Sequence, residues 1–205
     1  MRRLTRCLAS LVIAVALWLC ASTNVTQAAP DAAVRWDVPQ LMSALRQVKS
    51  ATARFVERKH LHMMDKPLEV SGTLLYLAPD QLQKITIWPN WERLAVKQNL
   101  LTIEQDHEGN ARTFSLTDHA EIGAFVESIR ATLAGDLPTL TRFYAVTIEG
   151  DAADWRLLLL PKERKLQDLV KDIRIGGTGN NILMVETEEA DGDRSVMSIV
   201  EEDIR

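Results

Sequence analysis

Cysteine is almost missing from this chain. Its two copies, Cys7 and Cys20, both fall in the first twenty residues, so the remainder forms no disulfide, thiolate metal site or cysteine nucleophile. Acidic residues are absent from the same stretch, which carries Arg2, Arg3 and Arg6 and then runs uncharged from Cys7 to Ala21. A basic head before a short apolar run is the pattern of a secretory signal peptide. Thr26 and Ala28 occupy the two positions that the peptidase reads, which predicts cleavage after Ala28. The apolar run is shorter than the roughly 20 residues of a spanning helix. Leu19 before Cys20 also lacks the small side chain that a lipoprotein signal requires. The predicted organisation is a signal peptide over 1–28 and one domain over 29–205.

An excess of positive charge is missing too. Without the three early arginines the chain keeps 21 basic against 28 acidic residues, a net charge of about −7. That balance argues against nucleic acid and against docking on anionic headgroups. No Pro/Ser-rich linker, low-complexity run or internal repeat interrupts the chain after Pro30.

Catalytic signatures are lacking as well. There is no Gly-x-Ser-x-Gly elbow, and Gly176–Asn180 has neither the Lys nor the following helix of a phosphate-binding loop, so it reads as a hairpin. His60 and His62 share one face of a predicted strand, but zinc needs a third ligand that nothing in the spacing supplies; they read as solvent-facing. The acidic run Glu186–Asp193 offers weak calcium ligands and reads as a solvated hairpin end. No catalytic residue, metal or cofactor is assigned.

What is present is a change of period. Leu41, Leu45 and Val48 form a narrow stripe with Pro39 in the first turn, which predicts an amphipathic helix. From Thr52 the spacing becomes two, with Phe55, Leu61 and Met63 on one side and Val56 and Met64 on the other. Further strands run to Phe114, broken at Ala78-Pro79-Asp80, Trp88-Pro89-Asn90 and His107–Asn110. A helix over 118–134 follows, with a capping box from Asp118 to Glu121, an apolar face of Ile122, Phe125, Val126, Ile129 and Leu133, and Gly135 as its stop. A short helix is predicted from Asp136 to Tyr144, and then four strands joined through Gly176–Asn180 and Asp191-Gly192. Short turns make the sheet antiparallel and meandering. A sheet this long closes or curls, and the 118–134 helix is the candidate plug for its hollow side. Leu74 to Leu77 are apolar on both strand faces, so Leu75 and Leu77 are expected to pack against the first helix or a rim. Trp88 and Trp91 flank Pro89-Asn90 at the expected mouth.

The whole sequence after the leader resembles the LolA family of periplasmic lipoprotein carriers. The pieces that carry the likeness are SATARFVERK, SGTLLYLAPDQLQKI, LAGDLPTLTRFYAV, WRLLLLPKER and the closing LVKDIRIGG to RSVMSI hairpins, in that order and spacing. The resemblance implies an α+β fold: an unclosed, strongly curved antiparallel half-barrel with lid helices over an apolar concave face, plus an N-terminal amphipathic helix. It implies an acyl-binding cavity at Phe55, Leu74, Tyr76, Leu82, Leu94 and Val96, and a lid at Ile122, Phe125, Ile129 and Leu133. It further implies a monomeric periplasmic carrier, not an enzyme, that takes lipoprotein or lipid cargo from an inner-membrane donor to an outer-membrane acceptor. A regulator or assembly partner that uses the same fold to bind protein or sense lipid is the alternative. Burying a ~16-carbon chain at ~0.8 kcal/mol per methylene yields on the order of 12 kcal/mol, so release requires a lid that moves. Three departures from the family pattern stand out: Ala78 replaces an Arg before the turn proline, Lys84 replaces an aromatic, and Asn99–Ile103 replaces a Gly-Lys-Thr-Leu-Trp segment. They point to a specialised relative carrying another lipid or lipid-linked product.

Overall fold

The change from helical to two-residue spacing sets the architecture. A computed structural model describes residues 35–105 and 110–201; the signal peptide and most of the His107–Asn110 turn lie outside them. Helix α1 (Val38–Leu45) opens the described chain, followed by β1 (Ser50–His60), β2 (Leu68–Leu77), β3 (Gln81–Trp88), β4 (Glu92–Lys97), β5 (Leu100–Glu104) and β6 (Ala111–Ser115). Helices α2 (Ala120–Leu133) and α3 (Leu137–Phe143) come next, then β7 (Tyr144–Gly150), β8 (Trp155–Pro161), a single turn α4 (Arg164–Gln167), β9 (Val170–Thr178), β10 (Asn181–Glu189) and β11 (Arg194–Glu201).

The strands form one antiparallel sheet of eleven, in the order β6-β5-β4-β3-β2-β1-β11-β10-β9-β8-β7. Two meanders thus meet where the first and last strands pair, with Phe55 opposite Ile199 and Glu57 opposite Met197. The outer strands β6 and β7 do not pair with each other, so the sheet curls without closing.

Local chemistry explains the helix ends. Asp37 caps α1 and shares a reciprocal capping box with Gln40, and Pro39 sits in the first turn. The first helix ends at Leu45, so Val48 lies beyond it. The expected Asp118 box is not formed: His119 is the N-cap of α2 and no side chain caps it. At the other end Gly135 adopts φ +62° beside α1, where an added Cβ would stand 2.1 Å from the Met42 carbonyl oxygen. Only glycine meets both demands. The Arg46 guanidinium donates to the Gly135 carbonyl at 2.7 Å, tying α1 to the end of α2.

Two expectations along the strands are corrected. The first strand stops at His60, and Leu61 to Met64 lie in the following turn with Met63 85% exposed. Polar residues Asp65 and Lys66 with Pro67 end the ladder there. Tyr144–Gly150 is a strand in its own right, whereas the sequence reading reaches it only as the end of a helix. Leu77 is half exposed, and α1 packs on α2, α3 and β7.

Dense packing is confined to one part of the molecule. Leu41 and Leu45 of α1, Leu140 of α3, and Tyr144, Trp155 and Leu157 form its centre, all at 2% exposure or less. A second, small cluster joins Val126 of α2 to Val96 and Leu116, flanked by Leu82 and Leu101. The large cluster reaches the concave face at Leu159, Ile173 and Ile175, and only the small cluster around Val126 packs α2 on the N-terminal strands.

Candidate functional site

Directly paired residues in an antiparallel sheet point to the same face. One such row runs Tyr76, Leu82, Val96, Leu101 across β2 to β5, and another runs Leu74, Lys84, Leu94. From the other meander come Ile199, Met197, Val185 and Ile175. These rows face α2 across a cavity of about 580 Å³. Cavities that hold small ligands fall at roughly 300–1,000 Å³. If a methylene is taken at the roughly 30 Å³ of a liquid water molecule, a ~16-carbon chain needs about 480 Å³.

The structure brings Leu74, Tyr76, Leu82, Leu94 and Val96 to this wall, and Ile122, Phe125, Ile129 and Leu133 close it from the α2 side. Phe55 is different. It lies on the concave side but is 2% exposed, does not reach the cavity, and is overlaid by the Lys84 ammonium 5.0 Å from its ring centroid. Leu75 also borders the cavity.

Helix α2 is held at three points. Val126 packs on Val96 and Leu116. Arg130 Nη1 donates to the Gln98 carbonyl in the β4–β5 turn at 3.1 Å and pairs with Glu127 at 3.1 Å. Ser128, 1% exposed, donates to the Phe125 carbonyl at 2.6 Å and lies 3.4 Å from the Tyr144 hydroxyl. Burial raises the pKa of Tyr144 and of Tyr76 above that of a free phenol. Ile122 and Ile129 are each 39% exposed despite facing the cavity.

Sequence reasoning missed two groups of lining residues. The first is the apolar row of the C-terminal strands, Ile173, Ile175, Val185, Met197 and Ile199. Their two-residue spacing was the available signal, but it does not say which face is hollow. The second is polar. Glu57, 5% exposed, accepts from Lys84 Nζ at 2.5 Å within the cavity wall, and Glu189 borders it. Burial and the nearby Asp191 and Asp193 carboxylates raise the Glu189 pKa.

His60 and His62 are not a strand-face pair, since His62 lies past the end of β1. The His62 backbone N–H donates to Asp193 at 2.8 Å and its ring Nδ1 approaches the same oxygen at 2.7 Å, joining the β1–β2 turn to the β10–β11 turn. Asp191 lies close by, so these three side chains form the one metal-sized group among the described residues. Elsewhere in the acidic run Glu186 pairs with Arg174 and Arg194 at 2.9 Å each, and Glu188 with Lys171 at 2.6 Å. Among the described residues no helix is long and apolar enough to cross a membrane.

A LolA superfamily protein from Nitrosomonas europaea aligns over 83% of this chain and 96% of its own length, at 10% identity and a TM-score of 0.44. A DUF1329 family protein from Desulfovibrio piger aligns over 80% and 88%, at 10% identity and a TM-score of 0.43. No match is found among curated proteins. The family profile described as outer membrane lipoprotein carrier protein LolA-like matches residues 28–199. The chain therefore belongs to the LolA-like family, whose fold is in general that of a lipid or lipoprotein carrier.

Proposed function

We propose that this protein is a periplasmic carrier that binds the acyl chains of a lipoprotein or other lipid-linked cargo under α2 and delivers it towards the outer membrane. The observation that carries the reading is the cavity itself: about 580 Å³, walled by aliphatic side chains from both meanders and by one face of α2. An apolar hollow of this size forfeits dispersion contacts that a filled core would make, and an acyl chain supplies them. Its retention beside a well-packed core is explained by an occupant that comes and goes.

The proposed route begins with export on residues 1–28 and release of a single domain, 29–205, that works as a monomer between an inner-membrane donor and an outer-membrane acceptor. The route needs only binding and release. Lid movement supplies the release. Helix α2 meets the N-terminal meander through a small cluster around Val126 and a bond from Arg130 to one carbonyl, while Ala131 and Ser128 seat its other side in the large core. Local opening that breaks the N-terminal contacts uncovers the cavity.

Native mass spectrometry of the protein purified from the envelope, with lipid extraction, tests the reading. Co-purified acylated species are the expected result. Protein that is empty and also ignores acyl probes refutes it.

A further inference from the structure

The cavity wall contains one feature that acyl chains do not need. Glu57 and Lys84 form an ion pair inside it, at 2.5 Å, with Glu57 5% exposed and the Lys84 side chain 22% exposed. Lys84 stands directly between Leu74 and Leu94 in the register, and Glu57 lies opposite Met197, so the pair sits among the apolar rows and not at their margin. Replacing a buried ion pair by aliphatic residues of similar size is often neutral or stabilising. The fold alone thus gives no reason for it, and a few polar groups converging in an apolar pocket mark where a ligand is oriented.

The arrangement also specifies the ligand's chemistry. An ammonium has three donors. One of them serves Glu57, and the Phe55 ring 5.0 Å away takes up one side of the cation. Donor capacity remains for the cavity, while the positive charge is already matched. The second Glu57 oxygen lies 3.9 Å from Lys59 Nζ. Tyr76, 6% exposed in the same wall, has a hydroxyl with no hydrogen-bond partner among the described residues. A carboxylate entering here loses its water beside the Glu57 carboxylate, whereas an uncharged carbonyl accepts a hydrogen bond without disturbing the pair.

Resting on the acyl-carrier reading, we infer that Glu57 and Lys84 form a head subsite that selects cargo whose acyl chain ends in an uncharged carbonyl, an ester or amide, over cargo ending in a free carboxylate. The subsite acts by specificity: the aliphatic wall holds the chain, and the pair decides what stands at its end.

The test uses two fluorescent probes of equal chain length, a fatty acid and its methyl ester, titrated at neutral pH against wild type, Glu57→Gln and the neutral double variant Glu57→Gln/Lys84→Met. In Glu57→Gln the Lys84 charge is unmatched, so the ester-to-acid affinity ratio should fall by at least about tenfold, the factor that ~1.4 kcal/mol produces. The double variant should bind both probes, with an ester-to-acid ratio above that of Glu57→Gln and below that of wild type. An unchanged ratio in Glu57→Gln overturns the inference while chain binding stands. Should that variant fail to fold, an equal ratio in wild type and the double variant overturns it as well. If neither probe binds wild type, the carrier reading fails and this inference with it.

Discussion

Ile129→Glu separates the cavity from the core. Ile129 projects from α2 into the hollow yet is 39% exposed, so a carboxylate there stays hydrated in the empty protein. Exposed substitutions of this kind cost about 1 kcal/mol or less, which lowers Tm by roughly 2–4 °C in a domain of this size. Filling the cavity changes the sum. The cargo loses about 1–2 kcal/mol of apolar contact with the isoleucine, and dehydrating the carboxylate adds about 1–3 kcal/mol or more. The total, on the order of 3 kcal/mol, weakens Kd by more than about 100-fold. The matching control is Leu140→Ala, at a position with 0% exposure in the large cluster and away from the cavity. It should cost about 3–5 kcal/mol of stability and leave acyl affinity within about threefold below its melting range, well under the tenfold that ~1.4 kcal/mol produces. Fluorescent-acyl titration and differential scanning calorimetry read the two quantities separately. The reasoning is refuted if Ile129→Glu binds like wild type, or if both variants lose affinity in proportion to their loss of Tm.

Three further outcomes follow from other parts of the structure. Hydrogen bonds from Arg194 and Arg174 hold the Glu186 pKa below the usual carboxylate value; the stability this gives is present at neutral pH and is lost as pH falls from about 4.3 through the depressed folded value. Glu186→Gln should therefore flatten the acid limb of a Tm-against-pH curve, and an unchanged limb contradicts the assignment. Gly135→Ala forces a Cβ to within 2.1 Å of the Met42 carbonyl oxygen at φ +62°, so calorimetry should show a loss of more than about 1 kcal/mol. Arg130→Met removes the bond from α2 to the Gln98 carbonyl; hydrogen exchange across residues 120–133 should quicken and probe uptake accelerate, with β8 and β9 unaffected.

The meandering strands and the two helices between β6 and β7 were legible because they rest on local spacing and turn chemistry, whereas the residues of the cavity's N-terminal wall came from the resemblance to the LolA family. Leu74, Tyr76, Leu82, Leu94 and Val96 alternate along strands whose turns are marked by proline, so their shared face follows from pairing. Phe55 obeys the same alternation yet is covered, since a lysine two strands away folds over its ring, and nothing local to residue 55 announces that. The contribution of Met197 and Ile199 depends on β11 pairing with β1, a contact between the ends of the domain that periodicity does not encode. Glu57 and Lys84 were hidden for the same reason: separated by 27 residues, each reads alone as an ordinary surface charge. The true cap of α2 was missed because Asp118 has the right chemistry one residue too early.

The central claim is that acyl chains lodge between the concave sheet and α2. A diazirine-bearing acyl probe, photolysed with the protein and mapped by peptide mass spectrometry, tests it most directly. Saturable labelling of residues such as Leu74, Leu94 and Ile129, suppressed by unlabelled lipid, is the predicted result. Labelling confined to exposed outer positions such as Ile87 and Val200, or labelling that never saturates, contradicts it.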